Sequence, residues 1–101
     1  MSVKNDNGKV RYDLMPFDSL DEVAEVLTYG IKKYPDPKEN WRVNSSMDDI
    51  ERYNAALLRH MSKYMQGVKT DDESGLHHMA HIATNALFII ALLKKYEVYY
   101  E

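Results

Sequence analysis

The chain contains no cysteine. This absence excludes disulfide bonds, thiolate zinc sites and cysteine nucleophiles. Positive charge is also scarce, because 13 Lys and Arg residues are outnumbered by 16 Asp and Glu residues, and the net charge is −3. A chain with this balance has no general electrostatic attraction for DNA or RNA. We therefore expect no nucleic-acid partner.

Long apolar runs are absent as well. The longest one, residues 86–93, is too short to cross a bilayer, and the opening residues MSVKNDNGKVRYD are too polar for a secretory signal. With 101 residues and a hydrophobic content of 45%, the chain has the size and composition of one folded domain. We expect a single cytoplasmic domain, residues 1–101, with no membrane partner.

The spacing of the apolar residues predicts an all-α fold. After an N-terminal arm at residues 1–17, the helical period appears at residues 18–33, 46–66 and 75–97. Two prolines follow the first of these segments and Gly67 follows the second, as expected at helix ends. Ser74 is the expected N-cap of the third helix. The expected fold is a small bundle of about three main helices.

The third helix is apolar around most of its circumference between Met79 and Leu93. A helix of this kind is buried on nearly all sides. Two partner helices from a domain of this size cover only part of such a surface. We therefore expect homo-oligomerisation, as a dimer or larger, to complete the bundle.

A polar stripe interrupts that helix. His78, His81 and Asn85 are spaced i, i+3 and i+7, so they lie on one face. Three interpretations remain open. They are buried polar contacts, or they line a ligand cavity, or the two histidines bind a metal, although the glutamate of an HExxH motif is absent.

Cationic and aromatic residues are interleaved in the second helix and the loops. Arginine and lysine suit phosphate oxygens, and flat rings suit a base. This combination indicates a nucleotide as ligand, whereas the alternative for the helical cations is a solvated surface. The residues in question are Lys9, Arg11, Lys33, Tyr34, Trp41, Arg59 and His60.

Five segments occur in a characteristic order between Gly8 and about Leu93: GKVRYDL, LTYGIKKY, NW, AALLRHM and DDESGLHHMAHIATNALF. In this order they resemble the phage family called the dATP/dGTP diphosphohydrolase N-terminal domain. That family is similar to the all-α nucleotide pyrophosphohydrolases of the MazG kind. The positions that match are Gly8, Lys9, Arg11, Tyr12, Asp13, Gly30, Lys33, Tyr34, Asn40, Trp41, Arg59, His60, Glu73, Ser74, Gly75, His78, His81 and Asn85.

The resemblance implies that a hydrolase would hold Mg²⁺ with carboxylates, because this hard cation prefers oxygen ligands and bridges phosphates. The candidates are Glu22, Glu25, Asp72 and Glu73, although the first two could equally belong to an exposed helix face. One departure from the family pattern bears on this set. Val68 follows Gly67 where the family is expected to carry a glutamate.

Two functions follow as hypotheses. The first is a phage protein that binds a phosphorylated purine nucleotide without a cofactor and sequesters a nucleotide immune signal uncleaved, in the host cytoplasm. The second is an Mg²⁺-dependent dATP/dGTP diphosphohydrolase that releases pyrophosphate. The sparse carboxylates and Val68 favour the first, and a purely structural oligomer ranks last. The expected ligand-binding residues are Lys9, Arg11, Tyr12, Lys33, Tyr34, Trp41, Arg59, His60, His78, His81 and Asn85.

Overall fold

A computed structural model of the protein describes residues 7–33 and 45–96. Within these ranges the chain forms three α-helices, α1 at Phe17–Lys33, α2 at Asp49–Met65 and α3 at His78–Lys95. A single 3₁₀ turn at Tyr12–Leu14 precedes α1. The described ranges contain no β-strand, only an isolated bridge that pairs Thr70 with His77. The prediction of an all-α fold with three main helices is confirmed for this part of the chain.

The first two helices begin and end at local signals in the sequence. α1 begins directly after Pro16, whose carbonyl oxygen accepts a hydrogen bond of 3.1 Å from the Leu20 amide. α2 begins at Asp49, three residues later than expected, because Ser46 lies in a turn ahead of it. The Ser46 amide donates to Asp49 Oδ2 at 2.8 Å, which closes this turn in front of the helix. Gly67 follows α2 with φ at 91°, in the left-handed region that favours glycine.

The third helix begins at His78, so the expectation of a start at residue 75 with Ser74 as N-cap is wrong. The residues before it form a closed loop. The Asp71 amide donates to the Leu76 carbonyl at 2.8 Å, and the His78 amide donates to the Lys69 carbonyl at 2.9 Å. His77 is the N-cap instead, and its Nδ1 accepts the Met79 amide at 3.0 Å.

Helix α3 lies at the centre of the bundle and packs against both α1 and α2. Its residue Leu92 is 1% exposed, and Val23 and Val26 of α1 are buried with it in the core. On the α2 side, the Tyr53 and Phe88 rings lie 5.0 Å apart between centroids. This packing fixes the register of α2 against α3, which brings polar residues of both helices together at the other end of their contact.

Several apolar residues of the three helices are exposed in the single chain. Leu58 of α2 is 63% exposed, and Leu87 and Ile90 of α3 are 47% and 39% exposed. Ile31 of α1 is also exposed. One copy of the chain therefore covers only part of its apolar helix surface. No helix among the described residues combines the length and the apolar character needed to span a membrane.

Candidate functional site

Three histidines converge where α2 meets the beginning of α3. His60 comes from α2, and His78 and His81 come from the first turn of α3. The Nδ1 atoms of His60 and His78 lie 2.8 Å apart. The His60 and His81 rings are stacked, with centroids 4.4 Å apart and planes inclined by 5°. The histidine stripe predicted on α3 therefore faces α2 and meets a third histidine there.

A carboxylate completes the cluster from the loop before α3. Ser74 Oγ donates a hydrogen bond to Asp71 Oδ2 at 2.9 Å and lies 2.7 Å from His81 Nε2. Since the only hydroxyl hydrogen is donated to the carboxylate, the bond to His81 requires Nε2–H as donor. The Asp71 carboxylate thus selects the tautomer of His81 through Ser74.

The sequence DDESG explains why the loop adopts this shape. Asp71 Oδ2 accepts the Ser74 amide at 2.8 Å, a turn that aspartate side chains commonly make with the backbone a few residues on. The Gly75 amide donates to the Asp71 carbonyl at 2.8 Å, and Gly75 has a φ of 73°. A residue with a Cβ is strained in that conformation. Asp71 and Gly75 together hold the loop closed beneath the histidines.

The electrostatics of the cluster combine a charged carboxylate with imidazoles that resist protonation. Burial lowers the pKa of His60 and of His81, and neighbouring histidines lower both further. Burial acts to raise the pKa of Asp71, but the hydrogen bonds from the Ser74 amide and hydroxyl outweigh it, and the net pKa is lowered. At neutral pH the site therefore presents an ionised Asp71 beside neutral His60 and His81.

A second ionic contact joins α1 to the same loop. Lys33 Nζ lies 2.7 Å from Glu73 Oε1. Hydrogen bonds from Lys33 and Tyr29 lower the pKa of Glu73. This contact places the predicted phosphate-binding Lys33 at the loop that carries Asp71.

The remaining α2 and α3 candidates differ in their surroundings. Arg59 is exposed on α2, directly before His60, and its charge contributes to the lowered pKa of His60. Asn85 is buried, and its Nδ2 donates to the His81 carbonyl at 2.9 Å. The side-chain amide of Asn85 thus has a hydrogen-bond partner in its own helix. This agrees with the interpretation of Asn85 as a buried polar contact.

The candidates of the N-terminal arm are exposed. Arg11 binds both oxygens of Asp13, with Nε–Oδ1 and Nη2–Oδ2 distances of 2.8 Å. Lys9 precedes this pair by two residues, Tyr12 lies between its members, and both are exposed. Tyr34 and Trp41 lie outside the described residues. The role of all five residues in ligand binding stays a prediction.

The acidic candidates for metal binding are dispersed. Glu22 and Glu25 are exposed on α1, and Asp72 and Glu73 are exposed in the loop. Across residues 7–33 and 45–96, the group of three side chains that could hold a metal is His60, Asp71 and His78.

Sequence reasoning overlooked Asp71 in favour of its neighbour Asp72. The signal was present, because Asp71 is the first acid of the DxESG motif. The two histidines of the HxxH pair on α3 have different partners. His78 Nδ1 contacts His60, and His81 Nε2 is hydrogen-bonded to Ser74.

Comparison with known proteins identifies the family of the chain. Residues 2–99 match the family described as "dATP/dGTP diphosphohydrolase, N-terminal". The chain belongs to this family, and the resemblance seen in the sequence motifs is confirmed.

One relative is a "dATP/dGTP diphosphohydrolase" of Salmonella phage PMBT28. It is 38% identical over 91 residues, which are 90% of this chain and 29% of the relative. The chain thus spans less than a third of that protein's length. No solved structure matches the chain.

Proposed function

We propose that the chain acts on dATP or dGTP as a diphosphohydrolase domain, producing the deoxynucleoside monophosphate and pyrophosphate. One observation carries this proposal. The segment from Asp71 to His81, which lies in the longest of the five family-like segments, supplies the carboxylate, the hydroxyl and two of the three imidazoles of the site. The name of the phage relative supports the same substrate class.

The cations around the cluster have roles in this proposal. Lys33 is held at the site by Glu73, and Arg59 lies beside His60 on α2. Both would bind phosphate oxygens, and Lys9 and Arg11 would extend this positive surface from the arm. The base would stack on an aromatic ring, for which Tyr12, Tyr34 and Trp41 remain the candidates.

Magnesium is the cofactor that the resemblance implies for the hydrolase. Mg²⁺ requires a nearly octahedral set of oxygen ligands. Within the described residues, the histidine cluster offers one carboxylate, Asp71, and otherwise imidazole nitrogens. This donor set does not fit Mg²⁺, so we assign no step of the reaction to Mg²⁺ at these residues.

The same observation favours a second candidate function. A domain with one carboxylate in its cluster would bind a purine nucleotide and leave it intact. Such a protein, made by a phage in the cytoplasm of its host, would sequester a nucleotide immune signal. Family membership and the named relative favour the hydrolase, so we rank sequestration second.

A homo-oligomer is part of both proposals. Leu87 and Ile90 of α3 and Ile31 of α1 are exposed in one copy, although α3 is the central helix of the bundle. Burial of apolar area stabilises by about 25 cal/mol per Å², so covering these side chains with a second copy is favourable. A second copy supplies the same type of surface.

One experiment separates the two functions. The protein is mixed with dATP, dGTP and their ribonucleotide and cyclic counterparts, with and without Mg²⁺. Thermal shift reports binding, and chromatography of the denatured mixture reports products. Repeated turnover of dATP or dGTP supports the hydrolase, whereas stabilisation with intact ligand supports sequestration. Absence of both binding and turnover refutes both proposals.

A further inference from the structure

The contact between His60 and His78 has an unusual geometry. Both rings direct Nδ1 at the same point, and the two atoms lie 2.8 Å apart. A neutral imidazole has one nitrogen that donates and one that accepts, so one of these Nδ1 atoms must carry a hydrogen for the contact to form. Two histidines that bind one metal ion also direct their nitrogen lone pairs at a common point.

A third ligand atom lies within reach. One carboxylate oxygen of Asp71 and one nitrogen each of His60 and His78 all lie within 4.8 Å of one another. They come from the loop, α2 and α3, so the packing of these three segments sets their separation. We propose that His60, Asp71 and His78 form a binding site for a divalent transition-metal ion of the Zn²⁺, Co²⁺ or Mn²⁺ class.

The distances are compatible with an ion after a small adjustment. Zn–N bonds of about 2.0–2.1 Å in a tetrahedral site place two ligand nitrogens about 3.3 Å apart. The His60 and His78 nitrogens are 2.8 Å apart, so the rings must separate by roughly 0.5 Å, which small side-chain rotations supply. The ion would replace the hydrogen that now joins the two rings.

The types of ligand select the class of metal. Two imidazole nitrogens and one carboxylate oxygen suit Zn²⁺ and neighbouring first-row ions, whereas Mg²⁺ requires mostly oxygen. Three protein ligands leave a coordination position for water or a phosphate oxygen, as in catalytic rather than structural zinc sites.

Residues around the cluster hold these ligands in orientation. His81 stacks on the His60 ring at 4.4 Å, and Ser74 binds Asp71 Oδ2 through both its amide and its hydroxyl. The backbone amide of His78 is bound to the Lys69 carbonyl at 2.9 Å. Outer contacts of this kind fix ligands in metal sites, and their loss typically weakens metal binding by about 10–100-fold. Ser74 and His81 are therefore positioning residues.

The test measures metal binding without nucleotide, so it is independent of the proposed function. Chelator-treated protein is titrated calorimetrically with Zn²⁺, Co²⁺, Mn²⁺ and Mg²⁺. We expect one Zn²⁺ or Co²⁺ per chain, visible d–d absorption bands with Co²⁺, and much weaker binding of Mg²⁺. His60→Gln and Asp71→Asn should each weaken Zn²⁺ binding by at least about tenfold. Asparagine in place of Asp71 keeps an acceptor for the Ser74 bonds.

His77→Asn is the matched control. His77 neighbours the site but caps α3 through its Nδ1, and asparagine is a good N-cap. Its Zn²⁺ affinity should equal that of the wild type. The proposal is overturned if wild-type protein binds none of the transition ions, or if both ligand variants bind Zn²⁺ as the wild type does.

A measurement on the wild type guards against variants that fail to fold. Imidazole ¹⁵N spectra of the four histidines are recorded as Zn²⁺ is added. The resonances of the His60 and His78 ligand nitrogens should shift in the manner of metal coordination, while that of His77 Nδ1 stays in place. Coordination shifts at His77 instead, or at no histidine, would contradict the proposed ligand set and leave the cluster a hydrogen-bonded polar contact.

Discussion

Ser74 Oγ lies 2.9 Å from Asp71 Oδ2 and 2.7 Å from His81 Nε2, and so joins the loop before α3 to the helix itself. Ser74→Ala removes both bonds and leaves two partly buried polar groups without this partner. We expect the free energy of unfolding to fall by about 1–3 kcal/mol in urea denaturation, the range for such a loss. Ser62→Ala is the control, because Ser62 is exposed on α2. This substitution should change the free energy of unfolding by less than about 0.5 kcal/mol. Equal stability of the two variants would contradict the role of Ser74.

The contact between Lys33 and Glu73 predicts a pH-dependent stabilisation. The pKa of Glu73 in the folded chain is lower than its ordinary value of 4.5, because Lys33 and Tyr29 donate hydrogen bonds to it. The stabilisation from this contact is therefore complete above the pKa of Glu73 in the unfolded chain, and it is lost as the pH falls through the pKa of Glu73 in the folded chain. Glu73→Gln should melt below the wild type at neutral pH and approach it in acid. Asp72→Asn, in the same exposed loop, is the control. The prediction is refuted if the melting temperatures of the wild type and of Glu73→Gln differ by the same amount at every pH.

Leu92 anchors α3 in the core, with 1% of its surface exposed. Leu92→Ala creates a cavity and should lower the free energy of unfolding by about 2–5 kcal/mol. The matched variant Leu14→Ala removes the same atoms from a residue that is 72% exposed, and we expect a change within about 0.5 kcal/mol. Chemical denaturation of both variants measures the difference. A small effect at Leu92 would mean that α3 does not form the centre of the fold.

Arg59 should contribute to nucleotide affinity. A lost charged hydrogen bond to phosphate costs about 1.5–3 kcal/mol, so Arg59→Ala should weaken binding roughly ten- to a hundredfold in calorimetry. Arg52 lies two turns earlier on α2, bound to Asp49 at 3.1 Å, and Arg52→Ala serves as the control. If both variants bind as the wild type does, Arg59 is a solvated surface residue.

The exposed apolar side chains of α3 predict an assembly larger than the 11.8 kDa chain. Light scattering after size-exclusion chromatography should give at least twice the chain mass. Leu87→Glu places a charge in the proposed contact and should shift the protein towards monomer, whereas Val68→Glu, in the loop after α2, should not. A wild-type monomer at micromolar concentration would rule out the homo-oligomer.

Helices were predictable from the sequence because their apolar residues repeat with the helical period, whichever partner covers them. The start of α3 was not predictable from this period. Ser74 followed by a helical pattern has the signature of a cap, but pairing of Lys69 with His78 and of Asp71 with Leu76 closes a loop there. These bonds depend on residues up to nine positions apart, which local propensity does not report.

The candidate site was predictable only in part, for a related reason. The stripe of His78 and His81 follows from helical geometry. The partners of these histidines do not follow from helical geometry, because the pairing of His60 with His78 depends on the register of α2 against α3. The DxESG motif marks Asp71 and not Asp72, but it does not show which carboxylate faces the histidines, and the turn to Ser74 determines that.

The central position of α3 has a consequence for how the domain opens. Both other helices contact α3, and α2 does so more extensively, while among the described residues no Cα atom of α1 lies within 8 Å of a Cα atom of α2. The hairpin of α2 and α3 therefore keeps its shared surface when α1 detaches. We therefore expect two levels of cooperativity, with release of α1 costing less free energy than global unfolding. Amide hydrogens of α1 will exchange with solvent before those of α3, and the histidine cluster will outlast the contact between Lys33 and Glu73.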